Sequence, residues 1–335
     1  MNVIYSVKNR IYIFIILSIF IQVKVALAQD PEFSQFYASP VYTNPAFAGT
    51  SNVGRVVTNI RSQWPNIAGS LRTFSASYDE NYEAINGGLG LMATVDEAGS
   101  GLLQTLSLAG IYSYQIILTR RLTMRLAVQG SITQKSIDFG KLTFYDQIIL
   151  ERGFVNATSQ MPPTNNVFYA NFAAGAVIYS SHFYGGFAVH NLTEPNQAFY
   201  STKNGPESII PMRYTGHAGL VIPIFESKDE KRATNLWPNV LYMQQRQFNQ
   251  LNAGVYYNHG LFVIGAYYRA NSVNSDGFIT LLGLRMNKLR IGYSYDRTFS
   301  NVSSGAPDSH EVSIAFELRK RTPRKTIRPI KCPEF

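Results

Sequence analysis

The sequence predicts an all-β fold, a transmembrane antiparallel β-barrel of about fourteen strands. Three observations predict it: alternating, tyrosine-rich segments from about residue 55 to residue 318, an apolar targeting segment ahead of them, and a parity in the lengths of the connections. A closed barrel is one of only two ways for a backbone to cross lipid with every N–H and C=O paired, the other being the helix. After the targeting segment, no stretch is apolar enough over roughly 20 residues to make a transmembrane helix.

Residues 1–28 read as a cleavable signal peptide. Lys8 and Arg10 supply a charged start, Ile11 to Ile21 an apolar run, and Ala26-Leu27-Ala28 a small-x-small cleavage site, with Gln29 following. The apolar run of about 11 residues is too short for a membrane anchor. No cysteine follows it, so a lipid anchor is not expected. Cys332 is the only cysteine and cannot close an internal disulfide. Residues 29–53 form a lead-in, Gln29-Asp30-Pro31-Glu32-Phe33-Ser34-Gln35-Phe36-Tyr37 and then Asn44-Pro45-Ala46-Phe47-Ala48-Gly49. Its prolines and small residues predict a tight, partly helical segment rather than a strand. Its aromatics need burial, and a barrel lumen is the place for them, either as a plug that limits passage or as passive filler.

The barrel itself is assigned to residues 54–318. Alternation of period two puts residues i, i+2 and i+4 on one face. Leu251, Ala253, Val255 and Tyr257 oppose Asn252, Gly254, Tyr256 and Asn258. Leu289, Ile291, Tyr293 and Tyr295 oppose Arg290, Gly292, Ser294 and Asp296. Val312, Ile314, Phe316 and Leu318 oppose Glu311, Ser313, Ala315, Glu317 and Arg319. In a barrel the apolar face meets lipid and the polar, small face lines the lumen. The strands run about Gly54–Gln63, Ser70–Asp79, Gly87–Val95, Leu102–Ile117, Leu122–Ser136, Val167–Tyr179, His182–Asn191, Met212–Phe225, Asn239–Gln247, Gln250–Asn258, Leu261–Arg269, Gly277–Met286, Lys288–Arg297 and Ser309–Leu318. An even count suits a single-chain bacterial barrel. A soluble β-sandwich is the competing fold, and it has no use for so many strands.

Outer-membrane barrels have short periplasmic turns and long outer loops. With the first strand running outward, the long segments Ile137–Asn166, Leu192–Pro211 and Thr298–Asp308 all fall outside. The tight connections at Ser180-Ser181, His259-Gly260 and Asn287 fall inside. The turns near Asn81 and Asp229 are longer than the pattern wants, and the loop near Phe248 is shorter. Aromatics make up 13% of the chain, enough for girdles at both membrane interfaces.

Charge is uneven. Without Lys8, Arg10 and Lys24 the chain keeps 27 basic residues against 21 acidic ones. Residues 319–335 form a basic tail with Arg319, Lys320, Arg321, Arg324, Lys325, Arg328 and Lys331 and no acidic residue before Glu334. Pro323 and Pro329 keep it extended. Nucleic acid, the usual partner of such a run, is not expected for an exported chain. The tail is the candidate partner-binding site, for an acidic periplasmic protein or for lipid phosphates. Arg61, Arg72, Arg125, Arg213, Arg269, Arg285 and Arg290 lie within strands. Because a charge on the lipid face costs about 2–4 kcal/mol at the midplane, they should face the lumen or sit near an interface, where Asp296, Glu311 and Glu317 can offset them.

Catalysis is not expected, nor is any cofactor or metal. His310-Glu311 lacks a second histidine four residues on, and the five histidines show no ligand spacing. Gly87-Gly88-Leu89-Gly90 has no following lysine or helix pattern, so its glycines serve curvature or close packing.

QDPEFSQFY, NPAFAG, GGLGLMATVDEAGSG (Gly87 to Gly101), LGLRMNKLRIGYSYD (Leu282 to Asp296), SHEVSIAFEL (Ser309 to Leu318) and the KCPEF ending occur in that order. Together they resemble the PorP/SprF family of type IX secretion system membrane proteins in Bacteroidota, over essentially the whole mature chain. The resemblance implies an outer-membrane protein that assists export or cell-surface anchoring of secreted proteins such as adhesins, in some members linked to gliding motility. It also implies periplasmic partners from the secretion machinery. The NPA lead-in and fourteen strands are similar as well to outer-membrane fatty-acid transporters, so the alternative is a transporter or porin for hydrophobic solutes or anions.

Overall fold

The computed structural model describes residues 30–51, 53–66, 69–149, 153–154, 158, 164–199, 208–225, 234–272, 276–299 and 308–318. The expected signal segment, residues 1–28, and the basic tail, residues 319–335, lie outside them. Fourteen strands follow one another: β1 Arg55–Gln63, β2 Leu71–Tyr82, β3 Gly87–Ala98, β4 Leu103–Ile117, β5 Thr123–Ile137, β6 Asn166–Tyr179 and β7 Phe183–His190. Then come β8 (Arg213–Leu220 continued by Ile222–Phe225), β9 Thr234–Gln245, β10 Phe248–His259, β11 Phe262–Asn271, β12 Asp276–Met286, β13 Leu289–Phe299 and β14 Asp308–Glu317. Each strand pairs antiparallel with the next. β14 returns to β1, from Arg55 opposite Glu317 to Gln63 opposite Ser309, and closes the barrel. No helix among the described residues is long and apolar enough to cross a membrane.

The alternation read from the sequence sorts the side chains as expected. Ser294 and Glu311 are 0% and 1% exposed on the lumen side, whereas outward Leu91, Ile132 and Leu282 are 66%, 68% and 60% exposed. Such an apolar outer face is what a barrel offers to hydrocarbon. Several outward tyrosines, among them Tyr214, Tyr257 and Tyr268, sit toward strand ends, where the Tyr268 hydroxyl donates to Asp276 at 2.8 Å. Amphipathic rings belong at that depth, between lipid and water.

The longest connections, 138–165 and 191–212, join strand ends on the rim where β1 ends, called here the long-loop rim. The opposite, short-turn rim carries connections of two to eight residues. One turn is tighter than the sequence suggests. β2 runs on to Tyr82 because Asn81 and Tyr82 still pair with Gly88 and Gly87, leaving only residues 83–86 to turn.

The largest boundary difference is β9, which starts at Thr234 rather than Asn239 and carries Pro238 inside it. Proline cannot donate to a ladder and is normally confined to edges or irregularities. Here Gly219 pairs with Asn239 and Ile222 with Leu236, so the break in β8 at Val221 falls beside Trp237 and Pro238. The ladder skips where the missing N–H would have been.

Leu282 lies outward near the middle of β12. Replacing it by arginine should lower barrel stability by about 2–4 kcal/mol, read by urea titration of the protein refolded in lipid bilayers. Unchanged stability would show that this face does not meet hydrocarbon.

Candidate functional site

The lumen is where the chain concentrates buried polar chemistry, and residues 31–51 lie within it. Local sequence makes this segment compact. Pro40 opens a one-turn helix, Pro40–Thr43, at a position where its missing N–H costs nothing. Asn44 ends that helix and caps the next turn, Pro45–Phe47, its side chain accepting from the Ala46 N–H at 2.9 Å. Gln35, Asn44, Ala46 and Ala48 have no exposed surface.

At one end of the segment, Glu311 of β14 accepts the backbone N–H of Ser34 at 2.6 Å and that of Gln35 at 3.1 Å, one on each carboxylate oxygen. Arg61 of β1 bridges Asp296 at 3.2 Å and Glu311 at 3.4 Å and also donates to the Ser34 hydroxyl. Arg269 of β11 pairs with Asp296 and donates to Thr298 at 2.9 Å. The Gln35 amide is fully used: it donates to Ser294 at 3.1 Å and to the Glu311 carbonyl at 3.0 Å, and accepts from Ser313 at 2.6 Å. Upstream, Glu32 accepts from Gln250 at 2.6 Å and Asn252 at 3.1 Å. Burial raises the Glu32 carboxyl above its ordinary value, and nearby Arg269 and Arg61 only partly oppose that.

The middle of the segment meets a different wall. Phe36 and Tyr37 pack edge-on against Tyr267 and Tyr256, at 5.8 and 5.0 Å between centroids, over an apolar lining that includes Trp237, Leu241, Ile279 and Leu281. Asn44 Nδ2 lies 3.1 Å from the Ala176 carbonyl and 3.0 Å from His217 Nε2. A side chain on Gly175 would occupy the place of the Asn44 amide. Phe47 lies over His217, with ring centroids 5.0 Å apart. The lumen wall is therefore mixed, polar on β1, β13, β14 and toward the long-loop ends of β10 and β11, and apolar over the rest of β9 to β12.

At the other end, Ala48-Gly49 lies against Gly88 of β3. A Cβ on either glycine would overlap the backbone of the facing segment, and Gly49 also has φ +70°, a conformation that favours glycine. Asp79 of β2 accepts from the Gly49 N–H at 2.8 Å and pairs with Arg55 at 3.0 Å. Arg125 of β5, with no exposed surface, donates to the Ala48 carbonyl at 2.9 Å, Ser113 at 3.0 Å, Asn81 at 2.6 Å and Gln115 at 2.8 Å.

Of the strand arginines picked out in the sequence, Arg61, Arg125, Arg213, Arg269 and Arg290 are buried inward. Arg72 and Arg285 are more exposed, each one residue from a strand end. Asp296 and Glu311 do meet Arg61 and Arg269, and Glu317 meets Arg290. The Arg55–Asp79 pair was missed, although Arg55, Val57, Asn59 and Arg61 share one face of the alternation. Gln35 and Asn44 were missed as anchors; the Asn-Pro cap signal was visible, its wall partners were not. His310 and Glu311 point to opposite faces, His310 to Tyr293 at 2.8 Å and Glu311 to the lumen segment. Among the described residues, no group of three His, Cys, Asp or Glu is placed to hold a metal ion. Arg319, Lys320, Arg321, Arg324, Lys325, Arg328 and Lys331 lie outside the described residues.

A family model described as type IX secretion system membrane protein PorP/SprF matches residues 25–316. No curated protein matches the chain. Similar solved structures include the P. putida toluene transporter TodX, at 9% identity and TM-score 0.46, covering 83% of this chain and 94% of that one. A Pseudomonas aeruginosa FadL homologue is 12% identical with TM-score 0.44, covering 84% and 94%. The Acinetobacter baumannii outer membrane protein Omp33 is 8% identical with TM-score 0.44, covering 79% and 98%. Likenesses this distant say nothing about what is bound or passed.

Removing the Glu311 carboxylate leaves Arg61 buried with one partner fewer and two N–H groups of the segment unpaired. Glu311→Ala should therefore cost about 3–5 kcal/mol, measured by urea titration of the refolded barrel. A change within about 0.5 kcal/mol, the size of an ordinary surface substitution, would show that the segment does not depend on this contact.

Proposed function

Because the chain belongs to the PorP/SprF family of type IX secretion system membrane proteins, we propose that it assists the export or cell-surface anchoring of secreted proteins such as adhesins. The observation that carries this reading, beside the family, is the occupied lumen. A barrel whose interior holds its own N-terminal segment, bonded to strands all round the wall, is suited to present surfaces at its two rims. It is poorly suited to pass solutes.

In this reading the long-loop rim faces the exterior, after cleavage of a signal peptide and insertion in the outer membrane. The segments Ile137–Asn166 and Leu192–Pro211 meet the client. The basic tail, Arg319 to Lys331, then lies in the periplasm and docks to an acidic component of the secretion machinery, where charge speeds encounter and disfavours wrong partners. No catalytic step and no cofactor are part of this role.

The competing reading, passage of hydrophobic solutes, is favoured by the apolar wall of β9 to β12. Phe36 and Tyr37 occupy that wall. Bound lipid in the purified protein, or steady conductance in a planar bilayer, would turn the balance toward transport.

Exchanging Ile137–Asn166 and Leu192–Pro211 for short turns should leave the barrel inserted while the secreted client is lost from the cell surface. Normal client display would refute the loop assignment. Deleting residues 319–335 should reduce recovery of periplasmic partners in pull-downs at low salt, and less so as salt screens the charge. Unchanged recovery would remove the tail from the docking role.

A further inference from the structure

The contacts of residues 31–51 are ordered along the barrel axis. Ala48 and Gly49 touch Gly88 and Arg125, which lie one and two residues from the short-turn ends of β3 and β5. Asn44 touches the lower half of β6 at Ala176. Ser34 and Gln35 touch Glu311, three residues from the long-loop end of β14. Glu32 reaches Gln250 and Asn252, two and four residues from the long-loop end of β10. Burial follows the same axis: Phe33 to Phe36 are buried, while Pro31 and Glu32 are half-exposed.

We propose that the N-terminal segment is threaded through the whole length of the lumen, entering beside β1 at the short-turn rim and emerging at Pro31 in the long-loop mouth. Pro31 and Glu32 then lie toward the same rim as the long loops. Resting on the function proposed above, this places Pro31 and Glu32 beside the surface that meets the exported client.

The geometry leaves little freedom. β1 starts at the short-turn rim with Arg55, so a segment folded back on itself would have both ends at that rim. The Glu311 and Glu32 contacts exclude this, because both lie at the opposite end of the ladder. Two independent anchors hold that end, one on β14 and one on β10, roughly four strands apart around the wall.

Cys332→Ser gives a cysteine-free background. Into it go three single replacements: Pro31→Cys, Ser201→Cys between Leu192 and Pro211, and Ser181→Cys in a short turn. Each full-length protein is treated with a membrane-impermeant maleimide on intact cells and again after the outer membrane is permeabilised. The expected result is that Pro31→Cys and Ser201→Cys label on intact cells to the same extent, whereas Ser181→Cys labels only after permeabilisation. Labelling of Pro31→Cys in step with Ser181→Cys overturns the threading, and so does labelling in neither condition. If Ser201→Cys needs permeabilisation and Ser181→Cys does not, the outward orientation behind the proposed function fails. Threading still stands in that case if Pro31→Cys follows Ser201→Cys. A short epitope inserted between Asp30 and Pro31, probed with antibody, gives the same readout should a cysteine at Pro31 disturb folding.

Discussion

Every peptide group in hydrocarbon must find its partner within the protein, because an unpaired one costs several kcal/mol. The ladder between β1 and β14, nine residue pairs from Arg55–Glu317 to Gln63–Ser309, removes the last free edge. The rest follows from that closure. Once the ring is shut, alternation has only two destinations, and each strand must send apolar side chains to lipid and small or polar ones inside. Even the exception obeys it: Pro238 is accommodated beside the break in β8, where the ladder already lapses.

Closure also creates a problem inside. Arg61, Arg125, Arg269, Asp79, Asp296 and Glu311 all point into a confined space, where an unpaired charge is prohibitive. Opposite charges on strands one or two apart settle part of it. Polar side chains of the wall and, from the N-terminal segment, backbone N–H and C=O groups and a hydroxyl supply further partners. Buried ion pairs of this kind contribute little net stability, since desolvating both ions offsets their attraction. Their strong effect is selective, because any register or placement that separates them is heavily penalised.

What was legible in the sequence was whatever is governed by near neighbours. Period-two alternation displayed both faces of β10, β13 and β14, and the cost of charge in lipid pointed Arg61 and Arg269 inward toward Asp296 and Glu311. The start of β9 was misplaced because Pro238 interrupts a strand signal, and the tolerance for it comes from β8, a neighbour in space. The anchoring of Gln35 by Ser294 and Ser313, or of Asn44 by Ala176 and His217, joins residues more than 130 positions apart across the lumen. Nothing in local pattern announces which wall residue lies across from which. The glycines at Gly87, Gly88 and Gly90 were read as a place of close packing; that the packed object is Ala48-Gly49 needed the fold.

A strand of chain encircled by a closed hydrogen-bonded ring has few routes to its place. It can be drawn in lengthwise by a free end, or it can be present before the ring shuts. Residues 31–51 directly precede β1, one side of the seam, while β14, the other side, comes more than 250 residues later in the chain. Contacts of such separation carry the largest loop-closure cost. The segment is thus positioned to act as a mandrel, available for the sheet to wind around before its first and last strands meet. A barrel built this way closes with the segment already inside it.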